Sequence, residues 1–488
     1  ANAATLDPRR AKLIAGAIVD EAERCGLAAE CGVDRNADVA ETLARLDAWL
    51  CDVKEMRIGD GLHVFGRGTC GEAEIDALLR ALDGRFVEPG PAGAPSRGRA
   101  DVLPTGRNLF CIDPRHVPTR TAFDIGRRAA REVVTRHAQE HGEWPRNIVL
   151  DLWGSATIRT GGEDFAQALA LIGVMPVWDH ASARVSGFEI EQLAKRDFPR
   201  VDVTLHISGL FRDMFPTLIA LFHDAVQAIA ALDEDADANP LASARREGEA
   251  IERIFGAAQG SYGLGLGEAI SRGDWTTRDD LARAYLEAGG HSFDRRGESA
   301  PARAAFTERV GSADALVHVQ DMAETDVLTG AAYAEYEGGF AAANATLGGA
   351  AKIVHLDATR PSTLTARALE QEIARVLRAR AANPRWIAGQ MRHGHRGAAE
   401  IAETIDNLFA FAATTSFVRD AQWDLVFDAT IGTQEVRDFL LDANPRAAEA
   451  IRHVFQQAIE RGLWRTRRNS VFDAMTTIDD RAGEVSDR

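Results

Sequence analysis

Apolar residues recur with helical spacing over the first sixty positions. Leu13, Ile14, Ala17, Ile18 and Ala22 form one stripe that stops near Gly26, and Leu43, Leu46, Trp49, Leu50, Val53 and Met56 form a second. Residues 84–118, beginning GRFVEPGPAGAPSRGRADVLPTGRN, are too rich in glycine and proline for a regular element, which predicts an irregular loop. A helix should follow, capped by Thr121 with Asp124 three residues on, and ending near Gly142. The period then changes. NIVLDLWG (147–154), MPVWD (175–179) and VDVTLHISG (201–209) are short apolar runs, separated by the helical stretch GEDFAQALALIGV (162–174) and followed by another from Pro216 to about Leu232. This alternation predicts a parallel sheet with crossover helices. Beyond 236 the pattern is mostly helical, with strand candidates ALVHVQD (315–321) and KIVHLDA (352–358). Asn444–Pro445 opens a last helix on Ile451, Val454, Phe455, Ala458 and Ile459.

The expected class is therefore α/β: a parallel-sheet core with crossover helices, plus largely helical N- and C-terminal segments. The expected division is a helical segment with a Gly/Pro-rich loop (1–118), an α/β domain (119–235), a mostly helical α/β domain (236–465) and a polar tail (466–488).

Composition narrows the function classes. A net charge of −17 argues against general binding to nucleic acid or to anionic membranes. No run approaches the length of a membrane span, and the first thirty residues lack the apolar core of a signal peptide. The five cysteines all precede residue 112 and include no CxxC pair, which suits reduced thiols in a cytoplasmic protein. Lysine occurs only at 12, 54, 195 and 352, so arginine supplies nearly all the positive charge and its abundance alone identifies no anionic ligand.

Ligands of parallel sheets bind at the carboxyl ends of the strands, which directs attention to GSATIRTGGED (154–164) and ISGLFRD (207–213). In the first, the glycines either expose helix-start amides to an anion while Glu163 or Asp164 handles protons or a cation, or Thr160 and Glu163 form a capping box. In the second, Arg212 and Asp213 either meet a ligand or pair with each other. Arg107 and Asn108, in LPTGRN, lie in an irregular loop where carboxylate-binding forks are found. His63, in GLHVFG, reads either as a core histidine or as a catalytic one. QMRHGHRGAAEI (390–401) sets His393 and His395 two apart: a metal site, a proton-handling site, or the polar lip of a helix. Two histidines fall short of a stable zinc site. No GxSxG, HExxH, GxGxxG or GxxxxGK[ST] pattern stands in a supporting context.

Six blocks in order carry a resemblance: KEMRIGDGLHVFGR, the Gly/Pro-rich stretch from ALDGRFVEPG to LPTGRN, RTGGEDFAQALALIGVMPVWD, RVDVTLHISGLFRDMFP, GSYGLGLGEAI and NPRWIAGQMRHGHRGAAE. Together they resemble the C-terminal part of the large subunit of aerobic cobaltochelatase, within the cobaltochelatase/magnesium chelatase large-subunit family, over about residues 5–465. Family members are more than twice as long, and their Leu-Glu-x-Leu-Pro-Gly-Lys-type motif, which supplies a catalytic Glu, lies upstream of the resembling part. The resemblance implies a C-terminal portion of the large subunit, inactive alone. It implies ATP-dependent insertion of Co²⁺ into hydrogenobyrinic acid a,c-diamide in cobalamin biosynthesis, with ATP hydrolysed by separate AAA+ and adaptor subunits. The implied roles are His393, Glu163 and His63 in catalysis, His393 and His395 toward the metal, and Arg107, Asn108, Arg212, Asp213 and Asp164 toward the ring. His395 stands where the family commonly has Tyr, and Ala412 where it has Asp. Alternatives are a magnesium- or nickel-type chelatase relative, and a tetrapyrrole-binding or subunit-docking module without catalytic groups.

Overall fold

A computed structural model describes residues 8–33, 37–56, 64–97 and 99–486. The chain divides into two compact units, one of residues 1–59, 326–334 and 369–488, the other of residues 60–325 and 335–368.

The first unit is helical. Helices Pro8–Arg24 and Val39–Glu55 open it, and Asp38 caps the second by accepting a hydrogen bond from the Glu41 amide. Ala22, Leu46 and Trp49 of the predicted stripes are buried, whereas Leu13, Ile14, Ile18 and Leu50 face solvent. Asn444 accepts from the Ala447 amide and Pro445 takes the first helical position of Pro445–Glu460, as its sequence requires. Phe455 from this helix packs with Trp423, Phe427 and Trp464. The segment 326–334 is tied in by a buried bidentate pair, Arg380 to Asp326 at 2.6 and 2.8 Å, and by the Asn407 amide donating to the Leu328 carbonyl. The polar tail carries a helix, Asn469–Ser486, in which Val471 and Ile478 are buried.

The second unit is built on an eight-stranded sheet: β1 Asn147–Leu152, β2 Asp202–Ile207, β3 Ile254–Gly256, β4 His291–Phe293, β5 Ser299–Pro301, β6 Ala315–Gln320, β7 Lys352–Asp357 and β8 Thr365–Ala368. Its order is β8-β7-β6-β1-β2-β3-β4-β5. The five central strands β7, β6, β1, β2 and β3 run parallel, and β8, β4 and β5 add antiparallel edges. Full burial explains why these strands read as continuous apolar runs rather than as alternating ones. Helices Arg120–His141, Glu163–Ile172 and Pro216–Ala230 contribute Val133, Phe165, Leu169, Ile219 and Phe222 to one apolar core with the strands.

Two expectations need correction. Residues 175–179 do not join the parallel sheet; Val174–Trp178 pairs antiparallel with Val185–Ile190 in a separate hairpin. The helix Arg120–His141 is capped by Thr119, whose hydroxyl accepts from the Ala122 amide, and not by Thr121. Thr121 already lies in the first turn, where its backbone is helical. Gly142, at φ 79°, ends this helix as predicted.

Candidate functional site

The carboxyl ends of β1, β6 and β7 gather a cluster of charged side chains. Arg97 reaches it from the Gly/Pro-rich loop: one guanidinium nitrogen donates to the carbonyls of Asp321 and Ala358, at 2.6 and 2.9 Å, and the other to Glu163 Oε1 at 2.6 Å. Both partners of the Arg97–Glu163 pair are buried. Arg159 adds a bidentate pair to the Asp321 carboxylate at 2.7 and 2.8 Å. The irregular loop predicted at 84–118 is thus tied to the sheet by the Arg97 guanidinium, as well as by the buried side chain of Val117.

The turn RTGGED is shaped by packing. Gly161 and Gly162 have φ of 72° and 91°, and a Cβ on Gly162 would lie 2.5 Å from a Val117 methyl. The Thr160 hydroxyl oxygen accepts from the amides of Gly162 and Glu163. These amides are therefore taken, as in the capping reading, but Glu163 does not complete a capping box; its carboxylate turns to Arg97 instead. Glu163 Oε2 is buried and accepts no hydrogen bond from the described residues. Burial pushes the Glu163 carboxyl upward, and the Arg97 charge offsets part of that rise.

Asp164 is also buried. Its Oδ1 accepts from the Phe165 amide at 2.8 Å, and the Thr157 hydroxyl lies 3.0 and 3.2 Å from its two oxygens. Burial, only partly offset by these bonds, raises its pKa to about 7. The sign of the consequence follows from linkage. The native state binds this proton more tightly than the unfolded chain, so Asp164 costs stability progressively as pH rises from about 4 to 7, and by a constant amount above that. Asp164→Asn should therefore raise the melting temperature at pH 8 and leave it nearly unchanged at pH 4.5. The difference amounts to about 4 kcal/mol at most. An equal shift at both pH values would refute the assignment.

The other residues of this unit that the sequence singled out receive separate partners. Arg212 is buried; two of its nitrogens meet Asp213 at 2.7 and 3.1 Å, and the third donates to the carbonyls of Ala257, Ala258 and Ser261. Tyr262 donates to Asp213 Oδ2 at 2.5 Å. Arg212 is thus committed to the loop after β3. Asn108 is likewise occupied, donating to the carbonyls of Pro91 and Val102. Arg107 stays half-exposed, 3.9 Å from Glu88. His63 lies outside the described residues. In the helical unit, His393 follows the helix Pro384–Met391 and His395 begins His395–Thr414, with Gly394 at φ 57° between them; both imidazoles are exposed. Among the described residues, no group of three or more His, Cys, Asp or Glu side chains is arranged to hold a metal ion.

The sheet also carries a feature that sequence reading passed over. His355, His318, Asp151 and His206 occupy neighbouring positions on β7, β6, β1 and β2, and all four are buried. His206 Nδ1 lies 3.1 Å from Asp151 Oδ1 and 3.2 Å from the Tyr285 hydroxyl. His355 bridges Glu337 and Gln320, each at 2.9 Å. Glu337 sits in a π-helical turn, Ala334–Gly338, a distortion that often marks functional positions. Burial alone would raise the Asp151 carboxyl, but hydrogen bonds and charge from His206 and His318 reverse this and hold it below the usual carboxylate range. The signal was a His or Asp flanked by apolar residues within each run, in VLDLW, TLHIS, LVHVQ and IVHLD.

Comparison with known proteins identifies the lineage. The family model described as CobN/Magnesium Chelatase matches residues 1–73 and 67–471. The aerobic cobaltochelatase subunit CobN of Pseudomonas aeruginosa is 48% identical over 413 residues, covering 81% of this chain and 33% of the relative. That of a Sinorhizobium species is 37% identical over 617 aligned positions, 96% of this chain and 48% of the relative. The chloroplastic magnesium-chelatase subunit ChlH of Oryza sativa is 31% identical over 406 residues, 80% of this chain and 29% of the relative. Among solved structures, the catalytic subunit of cobaltochelatase from Mycobacterium tuberculosis matches 99% of this chain and 50% of its own, with a TM-score of 0.93 and 30% identity. The chain thus spans about half or less of the length of these relatives. With nearly every residue matched in sequence and fold, the chain belongs to the CobN/magnesium chelatase family.

Proposed function

We propose that this chain forms part of a cobaltochelatase large subunit. It contributes to binding a tetrapyrrole, hydrogenobyrinic acid a,c-diamide, and to inserting Co²⁺ into it with ATP hydrolysed by AAA+ and adaptor partner subunits. The observation that carries this reading is the match of almost the whole chain to the solved catalytic subunit of a cobaltochelatase. Absence of a GxxxxGK[ST] phosphate loop accords with ATP hydrolysis on partners.

The chemistry required is a cation held loosely enough to be handed over, a base for ring N–H protons, and contacts to peripheral carboxylates. Exposed imidazoles at His393 and His395 suit Co²⁺ as substrate. Asp164, its pKa raised to about 7, suits proton acceptance near neutral pH, and burial shifts Glu163 in the same direction. The half-exposed Arg107 suits a ring carboxylate. Arg212, with its donors occupied, acts in this reading by positioning the loop 257–262.

The test is metal insertion, followed by the ring's absorbance, in the assembled complex supplied with the diamide or protoporphyrin and with Co²⁺ or Mg²⁺. Insertion of cobalt into the diamide is expected, and none by the chain alone. His393→Ala should lower turnover on the order of a hundredfold with the ring's Kd within about twofold, as loss of a contact made only in the transition state does. Steady insertion by the isolated chain, preference for magnesium and protoporphyrin, or parental turnover in the His393 variant would each overturn its part of the proposal.

A further inference from the structure

The helix Gly71–Leu82 is inside out. Its sequence, GEAEIDALLRAL, places Ile75, Leu78, Leu79 and Leu82 at i, i+3, i+4 and i+7, the spacing of a core-facing stripe. Yet these four are 46, 47, 54 and 75% exposed, and the buried side chain of this helix is Glu74. The Glu74 carboxylate fastens the helix, accepting from the Gly66 amide at 2.6 Å and from the Thr105 hydroxyl. Val64, Phe65 and Phe86, which flank the helix in sequence, are exposed as well. So continuous a stripe of leucine and isoleucine marks an interaction surface rather than scattered apolar residues.

The family comparison indicates what covers it. The two matched stretches of the family model meet at residues 67–73, which run into the first turn of this helix. The alignment with the Sinorhizobium relative spans 617 positions against the 488 residues of this chain, so that relative carries internal residues without a counterpart here. From the split of the family match at this helix, we infer that the Ile75–Leu78–Leu79–Leu82 face is a docking surface for a polypeptide segment equivalent to the internal residues that the Sinorhizobium relative carries without a counterpart here. Apolar contact gives the affinity, and the Glu74 clasp holds the helix in place for it.

The probe is that internal segment of the Sinorhizobium relative, purified as a fusion to a soluble carrier and titrated by calorimetry against the full chain. Saturable binding is expected, weakened at least tenfold in the Leu79→Glu/Leu82→Glu double variant. Both substitutions are at exposed positions, and an unchanged circular dichroism spectrum and melting temperature would show that the fold is kept. A Leu13→Glu variant, altering an exposed leucine in the other unit, should bind like the parent. No binding at concentrations on the order of 100 μM, or binding indifferent to the double substitution, overturns the inference. Self-association of the chain that the double substitution abolishes overturns it too, by assigning the face to a second copy.

Discussion

Asp151→Asn should destabilise the sheet unit by about 3–5 kcal/mol, the cost of removing one member of a fully buried charge-paired group. The carboxylate lies between His206 and His318, with both neighbours buried in the strands beside it. An amide of the same shape keeps the packing but removes the charge and presents a donor to imidazole nitrogens. The pH dependence separates this from a packing defect. A carboxyl held below its usual range contributes stability that is fully present above about pH 4 and is lost as pH falls below it. The gap between parent and variant in urea unfolding should narrow as pH falls below about pH 4. A gap that does not narrow there, or one under about 1 kcal/mol at neutral pH, would mean that the aspartate does not hold the row together.

Arg97→Ala should cost a similar amount, again about 3–5 kcal/mol, because it strands the buried Glu163 carboxylate and leaves two carbonyls without their donor. It should also free the loop 84–118, so limited proteolysis ought to cut within that loop well before the parent is touched. The double variant Arg97→Ala/Glu163→Gln removes the stranded charge and should recover part of the lost stability. Loop cleavage should stay fast in it, since the carbonyl contacts are still missing. A single variant as stable and as protease-resistant as the parent would show that the loop is held elsewhere.

Much of this architecture was legible along the chain because buried parallel strands are short and apolar. NIVLDL, VDVTLHI, ALVHVQ and KIVHLD all lie in the sheet where their pattern puts them. VMPVW has the same length and character, and only long-range pairing decides that it turns into a hairpin. The histidine–aspartate row was hidden for a related reason. A lone His or Asp between apolar neighbours looks incidental until strand register sets the four side by side. Glu163 was found by its place at a strand end, but Arg97 was not, since in a chain whose positive charge is nearly all arginine no single one stands out. The pairing of the two joins positions 66 residues apart, and spacing along the chain carries no trace of it.

The helical unit is assembled from three stretches of chain, with the sheet unit threaded between the first and the last. During synthesis, the strands and crossover helices up to Ala368 leave the ribosome while most of the helical unit is still untranslated. Helices Pro8–Arg24 and Val39–Glu55 must then wait for Arg378, the partner of Glu30, and for everything after it. Domains that emerge whole fold first. The nascent chain is therefore expected to carry a finished sheet unit while Pro8–Arg24 and Val39–Glu55 still lack the C-terminal helices of their own unit, and for that interval these two helices are exposed to chaperones.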